Sequence, residues 1–183
     1  MGTTDVSQVL RVPGRLCINP TDLATAWPHG GTGLGVVGSI VLEPTSTYQR
    51  ITAEEFGAEV VDVLDLGETW VLGALCRAWG DNTVLSTLFP STSTGSSGDK
   101  VVSYPGSYRA GTLRSSASVK LCFTPRDNRN PGLLLYKALP LVEEAARLRL
   151  GAFNELTIPV LFIGIRDGSA RQISIGVLGD LSL

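Results

Sequence analysis

Histidine and cysteine are scarce: His29 stands alone, and Cys17, Cys76 and Cys122 lie far apart. Zinc sites need thiol and imidazole ligands at short spacings, and no such spacing occurs. A site with three thiols and one imidazole would have to be assembled from remote parts of the chain. The plainer expectation is three buried thiols acting as small apolar groups. His29, between Pro28 and Gly30-Gly31, reads as a loop residue rather than a ligand or general base. No metal or cofactor is expected.

Charge is scarce too. Only 17% of the 183 residues are charged, 15 Lys and Arg against 17 Asp and Glu, for a formal net charge of −2. With 43% hydrophobic residues and a mean hydropathy of +0.20, the chain can bury a core and is not a disordered polymer. A pI near 5.4 lacks the basic excess of a phosphate-neutralising nucleic-acid binder. Long apolar runs are missing: the longest, around Pro159-Val160-Leu161-Phe162-Ile163, is strand-sized and far short of the roughly 18 residues that span a bilayer. The opening Met1-Gly2-Thr3-Thr4-Asp5-Val6 has neither a basic region nor an apolar stretch, and Val6 stands where myristoylation wants Ser or Thr. The expectation is a soluble protein made in the cytoplasm, without a membrane.

Glycine and proline are plentiful, at 21 and 10 residues. So many chain-benders favour short strands and turns over a helical bundle. Residues 35–42 read as a strand stopped by Pro44. Residues 56–64 and 69–76 read as two further strands with Gly67 as the turn between them. Residues 79–89 differ: Asp81-Asn82-Thr83 offers capping groups, and Val84, Leu85 and Leu88 fall at helical spacing until Pro90. In 118–123, Val119, Leu121 and Phe123 alternate with Ser118, Lys120 and Cys122. Residues 133–139 read as a strand, and 142–150 as either helix or strand. Residues 156–165 and 172–178 form an expected hairpin around Arg166-Asp167-Gly168-Ser169. The fold class is mainly β, a sandwich or barrel in a single domain with one or two short helices. It has a long polar loop at about 91–112 and an extended arm at 1–13.

Motifs that look chemical do not survive their context. Gly33-Leu34-Gly35-Val36-Val37-Gly38 matches G-x-G-x-x-G, but a pyrophosphate site needs a preceding strand and a helix opening within it. Here a loop precedes and a β-like run follows, so the glycines read as a turn feeding a strand that packs closely on its neighbours. Ser97-Gly98-Asp99-Lys100 matches S-x-x-K in the most polar stretch of the chain, away from any helix start. Glu54-Glu55 and Glu143-Glu144 are adjacent pairs whose side chains point apart, and with Asp62 and Asp65 they read as solvated surface. Arg126-Asp127-Asn128-Arg129-Asn130-Pro131 is a charged turn in which Arg126 and Arg129 could touch phosphate or a neighbouring subunit. Trp27, Tyr104 and Tyr108 could anchor a partner, while Trp70 and Trp79 are expected in the core. No catalytic constellation emerges, and a small β-rich chain with no site and one long loop suits an assembly unit.

Several segments carry a family resemblance. They are Gly14-Arg15-Leu16-Cys17-Ile18-Asn19-Pro20-Thr21, Pro28-His29-Gly30-Gly31-Thr32-Gly33-Leu34-Gly35, Ala53-Glu54-Glu55-Phe56-Gly57, residues 85–90, Leu135-Tyr136-Lys137-Ala138-Leu139-Pro140 and the close to Gly179-Asp180-Leu181. In pattern and order these resemble structural proteins of tailed bacteriophages, most closely the tail tube subunit. The resemblance implies a virion protein: a β-sandwich whose inner strands join in a hexameric ring, with rings stacked into a tube that carries DNA. Its implied partners are copies of itself, other tail proteins, and DNA passing through an acidic lumen without sequence-specific binding. A long loop reaching a neighbour would place Ser91, Thr94, Lys100, Tyr104, Tyr108 and Arg109 at inter-subunit contacts, with Arg126 and Arg129 beside them. Residues 2–12 and 180–183 are further candidates for contacts between rings. A tail terminator, head–tail stopper or decoration protein is the alternative within that biology. From other classes, a small β-barrel enzyme or ligand-binding protein would need a closed pocket with convergent polar groups, and a barrel-type nucleic-acid binder would need a basic stripe.

Overall fold

Alternation of side chains builds the centre of the fold. In β1 (Gly14–Ile18), Leu16 and Ile18 enter the main core while Cys17 points to the opposite face. In β7 (Val119–Pro125) Leu121 and Cys122 divide the same way, and in β8 (Gly132–Val142) Leu133 and Leu135 oppose Leu134 and Tyr136. Antiparallel register aligns these into rows, Ile18–Leu121–Leu135 on one face and Cys17–Cys122–Leu134 on the other. The alternation expected for 118–123 and the strand expected for 133–139 are thus both present.

The structure, a computed structural model, describes residues 13–35, 37–53, 59–77, 82–88, 93–94, 102–103, 114–127, 130–142 and 158–183. The remaining elements are β2 (Thr32–Gly33), β3 (Val37–Ala53), β4 (Glu59–Cys76), α1 (Asn82–Leu88), β5 (Ser93–Thr94), β6 (Val102–Ser103), β9 (Ile158–Gly164) and β10 (Ile173–Gly176), with 3-10 turns at Arg114–Ala117 and Leu178–Asp180. Eight strands form one antiparallel sheet in the order β2-β1-β7-β8-β9-β4-β3, and β10 also pairs with β8. The sheet curls, so that Leu72, Ala74 and Cys76 of β4 share a core with Leu16 and Ile18 of β1 from the far end of the order. The short helix expected near residues 79–89 is α1, and Val84, Leu85 and Leu88 seal that core. A second, smaller core lies on the other face of β1, β7 and β8. There Leu23, Leu178, Leu181 and Leu183 cover Cys17, Cys122, Leu134 and Tyr136.

Three expectations need correction. Pro44 does not stop a strand: β3 runs through it, with Pro44 opposite Trp70. Among the described strands β3 bonds only to β4, and an edge strand tolerates proline where the missing N–H would face outward. Gly67 is not a turn between two strands. It lies in one continuous β4, with φ +131°, where Thr47 faces Gly67 but Tyr48 faces Asp65. The extra residue makes a β-bulge, and glycine supplies its backbone conformation. Asp65 Oδ1 accepts the Gly67 N–H at 3.0 Å.

The third correction is the C-terminal hairpin. β9 and β10 do not pair with each other; both lie along one edge of β8, β9 at Ala138–Val142 and β10 at Gly132–Leu135. β9 has both its edges occupied, by β8 and β4, which leaves β10 only the unoccupied length of β8. The intervening turn exists, but it shifts the chain along β8 instead of folding it back. Asp167 Oδ1 accepts the N–H groups of Ser169 (2.9 Å) and Arg171 (2.7 Å), and Oδ2 accepts from Arg171 Nε at 3.0 Å. Burial opposes ionisation of this carboxyl, yet the Arg171 and Ser169 donors and the guanidinium charge hold it below the ordinary carboxylate range.

In the expected long polar loop, β5 and β6 pair Ser93 with Ser103 and Thr94 with Val102. Of the arm expected at 1–13, residues 1–12 lie outside the described residues, and of the ambiguous stretch 142–150 only Val142 is described, as the last residue of β8. Among the described residues no helix is long and apolar enough to cross a membrane.

Candidate functional site

The loop between β1 and β2 turns through left-handed backbone at Asn19, His29 and Gly30, with φ of 49°, 60° and 70°. His29 holds it together. Its carbonyl accepts the N–H groups of Thr21 and Asp22, and its own N–H bonds the Ala26 carbonyl. The ring is buried. Nδ1 donates to the Thr25 carbonyl at 2.7 Å, so in the neutral ring Nε2 accepts from the Thr124 hydroxyl at 2.8 Å. A hydroxyl paired with an imidazole resembles an activated nucleophile. Here the second nitrogen is spent on a backbone carbonyl rather than a carboxylate, and the arrangement stitches the loop to β7. The reading of His29 as a loop residue holds, with burial and two side-chain bonds added.

Trp27 lies across β2. A Cβ built on Gly33 would come within 2.3 Å of its ring, so only glycine lets the indole lie there. The Arg15 guanidinium stacks over the indole at 5.1 Å from the ring centroid. Trp27 Nε1 is buried and finds no hydrogen-bond partner among the described residues. Arg126, at the end of β7, donates its N–H to the Pro13 carbonyl at 2.8 Å, tying this corner together. Arg15, Trp27, His29, Thr124, Arg126 and Leu178 line a crevice of about 510 Å³ on the small-core face, and none of the described residues that line it is a carboxylate.

The three cysteines are buried free thiols. Burial pushes the Cys76 thiol up to about 11. Cys17 and Cys122 face each other across β1 and β7. Cys17, hydrogen-bonded to Cys122 and buried, is held well above its ordinary range; Cys122, the member of the pair lowered by that bond, ionises first. Burial keeps the Cys76 thiol protonated, and Cys17 and Cys122 are shut away from solvent within the small core.

The second feature is the ribbon formed by β3 and β4. β9 pairs with β4 only from Val71 to Cys76, so residues 59–70 of β4 have β3 as their one strand neighbour among the described residues. At 3.3 Å per residue this length of β4 extends for about 40 Å. Val41, Tyr48, Ile51, Val60, Val63, Leu64 and Leu66 on the two strands are all more than two-fifths exposed. Register places Tyr48 and Val63 on one face and Ile51, Asp62 and Leu64 on the other, so neither face is purely polar.

Of the inter-subunit candidates read from sequence, Arg126 lines the crevice and Thr94 lies in β5. Ser91, Lys100, Tyr104, Tyr108, Arg109 and Arg129 lie outside the described residues, as does the S-x-x-K stretch. The glycine fingerprint has Gly33 in β2 and is followed by β3, not by a helix. Trp70 packs against the main core, and Trp79 lies outside the described residues. Sequence reasoning missed Arg15 and this ribbon, a β3–β4 arm distinct from the arm expected at 1–13. A signal for the arm was present, in the crowding of carboxylates among alternating apolar residues between Glu43 and Trp70. No family model matches the chain, and no curated protein matches it significantly.

Proposed function

We propose that this protein is a virion structural subunit, a tail-tube protein that assembles with copies of itself into stacked, hexameric rings around a DNA-conducting lumen. It carries out no reaction, and other tail proteins and passing DNA are its further partners. The observation that carries this reading is the β3–β4 arm. A two-stranded ribbon is marginal in water on its own, and seven large apolar side chains on these two strands stand exposed. Fully burying one Val or Leu side chain contributes about 1.5–3 kcal/mol. Covering several of them offsets a large part of the roughly 4–15 kcal/mol cost of association. Ring closure also covers the long edge of β3 that no described strand occupies, which would otherwise template aggregation. The mainly β architecture and the order of motifs resembling tail tube subunits support the same reading.

Negative-stain electron microscopy of the purified chain, with light scattering over a concentration series, tests it. Rings stacking into hollow tubes are expected. Rings that close but never stack point to a terminator or stopper, and a monodisperse monomer at every concentration overturns the proposal.

A further inference from the structure

Charge is divided unevenly along this chain. Residues 43–70, which include the arm strands, hold seven of the 17 acidic residues and one of the 15 basic residues. The rest of the chain therefore carries a positive excess, opposite in sign to the net charge of −2. On the body, Arg15 and Arg126 line the crevice beside Trp27, and among the described residues no carboxylate shares that lining. Arm and crevice belong to opposite ends of the strand order. The crevice also opens beside Leu23 and Leu178, on the small-core face, while the base of the arm packs against the main core on the other face.

We propose that the acidic arm of one copy seats in the Arg15–Trp27–Arg126 crevice of a second copy, with its Ile51–Asp62–Leu64 face inward. That face presents one carboxylate between two exposed apolar side chains and has Gln49 as its remaining neighbour, so it brings no cation to the arginines. The Arg15 guanidinium, already held over the Trp27 ring, offers its edge to the carboxylate. An arm at one end and a socket at the other make a heterologous contact, which closes into rings or runs on as a filament. The proposal rests on the self-assembly reading above and names the surfaces that would carry it.

The test is sedimentation velocity on the full chain over a concentration and salt series, with a photo-cross-linking residue in place of Leu64 in a parallel preparation. Asp62→Arg and the pair Arg15→Glu/Arg126→Glu are each expected to raise the concentration of half-association at least tenfold, and high salt to do the same for the parent chain. A mixture of the two variants is expected to hetero-associate, because each retains one half of a charge-reversed contact. Cross-links from position 64 are expected on residues near 15, 27 and 126 of a second copy, a readout that leaves both arginines in place. Association unchanged by both variants, or cross-links mapping elsewhere, overturns this contact while self-assembly stands. A parent chain that never associates overturns self-assembly itself, and the contact with it.

Discussion

The body strands β1, β7 and β8 and the arm strands β3 and β4 draw on much the same residue types, and they put them to opposite use. In the body every apolar row has cover. Ile18, Leu121 and Leu135 are sealed by α1 and β4 on one face, while Cys122 and Leu134 are closed on the other by Leu23 and the C-terminal leucines. In the arm, Tyr48, Val63, Leu64 and Leu66 are 49–57% exposed, beyond the reach of β9. What separates the two regions is the number of layers laid over them: a strand with neighbours on both edges and both faces is finished by its own chain. Among the described residues the arm has one strand neighbour and no layer over it, so its exposed apolar residues contribute little to the fold of one copy until a second surface meets them.

The sharpest way to break this comparison is to cut one large side chain from each region. Phe162, fully buried in β9, is expected to cost about 3–5 kcal/mol as Phe162→Ala, read as a lower denaturant midpoint. Leu64→Ser in the arm is expected to move monomer stability by less than about 0.5 kcal/mol while weakening association. A large loss of monomer stability from the arm variant would mean that the ribbon is part of the cooperative core.

Next in size is the stitch between loop and body. His29→Ala removes two side-chain hydrogen bonds and leaves the Thr124 hydroxyl and the Thr25 carbonyl to find other partners. The expected loss is about 2–3 kcal/mol. Because Trp27 sits in the same loop, its fluorescence should shift in native conditions. Unchanged stability would assign the ring to the crevice rather than to the fold.

A third prediction uses the buried thiols. Cys76 has a folded-state pKa raised to about 11 from 9.0. Below about pH 9 both folded and unfolded chains hold this proton; above it the unfolded state releases the proton first. Stability is therefore complete below pH 9 and is lost as pH rises towards 11, by about 2 kcal/mol, since one pKa unit is worth about 1.36 kcal/mol. Unfolding midpoints measured at pH 8, 9.5 and 11 check this, and Cys76→Ala should flatten the slope.

The same contrast explains what the sequence could tell. Helix α1 and strands β7 and β8 were legible because their apolar residues recur with the period of the element and are all buried by it: Val84, Leu85 and Leu88 in one case, Leu121 against Cys122 in the other. Pro44 and Gly67 misled because both punctuate the chain in a central strand but are tolerated in an edge strand and in a bulge, and edge position is a property of the whole sheet. The C-terminal pairing was hidden for a related reason. Residues 158–164 and 173–176 alternate well enough to pair with each other, and only the occupied edges of β9 send β10 to β8. The crevice joins Arg15, Trp27 and Arg126 across more than a hundred residues. No local spacing encodes that, although the crowding of carboxylates between residues 43 and 70 was there to be counted.

The smallest expected effect lies at the Asp167 turn, which sits on the body but at its solvent edge. Its carboxyl titrates below the ordinary range because it accepts backbone N–H groups from Ser169 and Arg171 and pairs with the Arg171 guanidinium, which itself lies over the Tyr136 ring at 4.0 Å from the centroid. A depressed folded-state pKa means that the contribution is complete above the unfolded value of about 3.9. It is lost as pH falls through the lower folded value. Asp167→Asn should therefore leave thermal unfolding at pH 7 slightly lowered and make it less sensitive to acid than the parent. The turn does not pair β9 with β10, so losing its charge should not unseat β10 from β8; the hydroxyl contact of Tyr136 with Ser174 at 2.8 Å and the ladder from Ile173 to Gly176 remain. Amide hydrogen exchange on 173–176 decides this: protection kept in the variant makes the turn a connector, and protection lost makes its ion pair the element that positions the last strand.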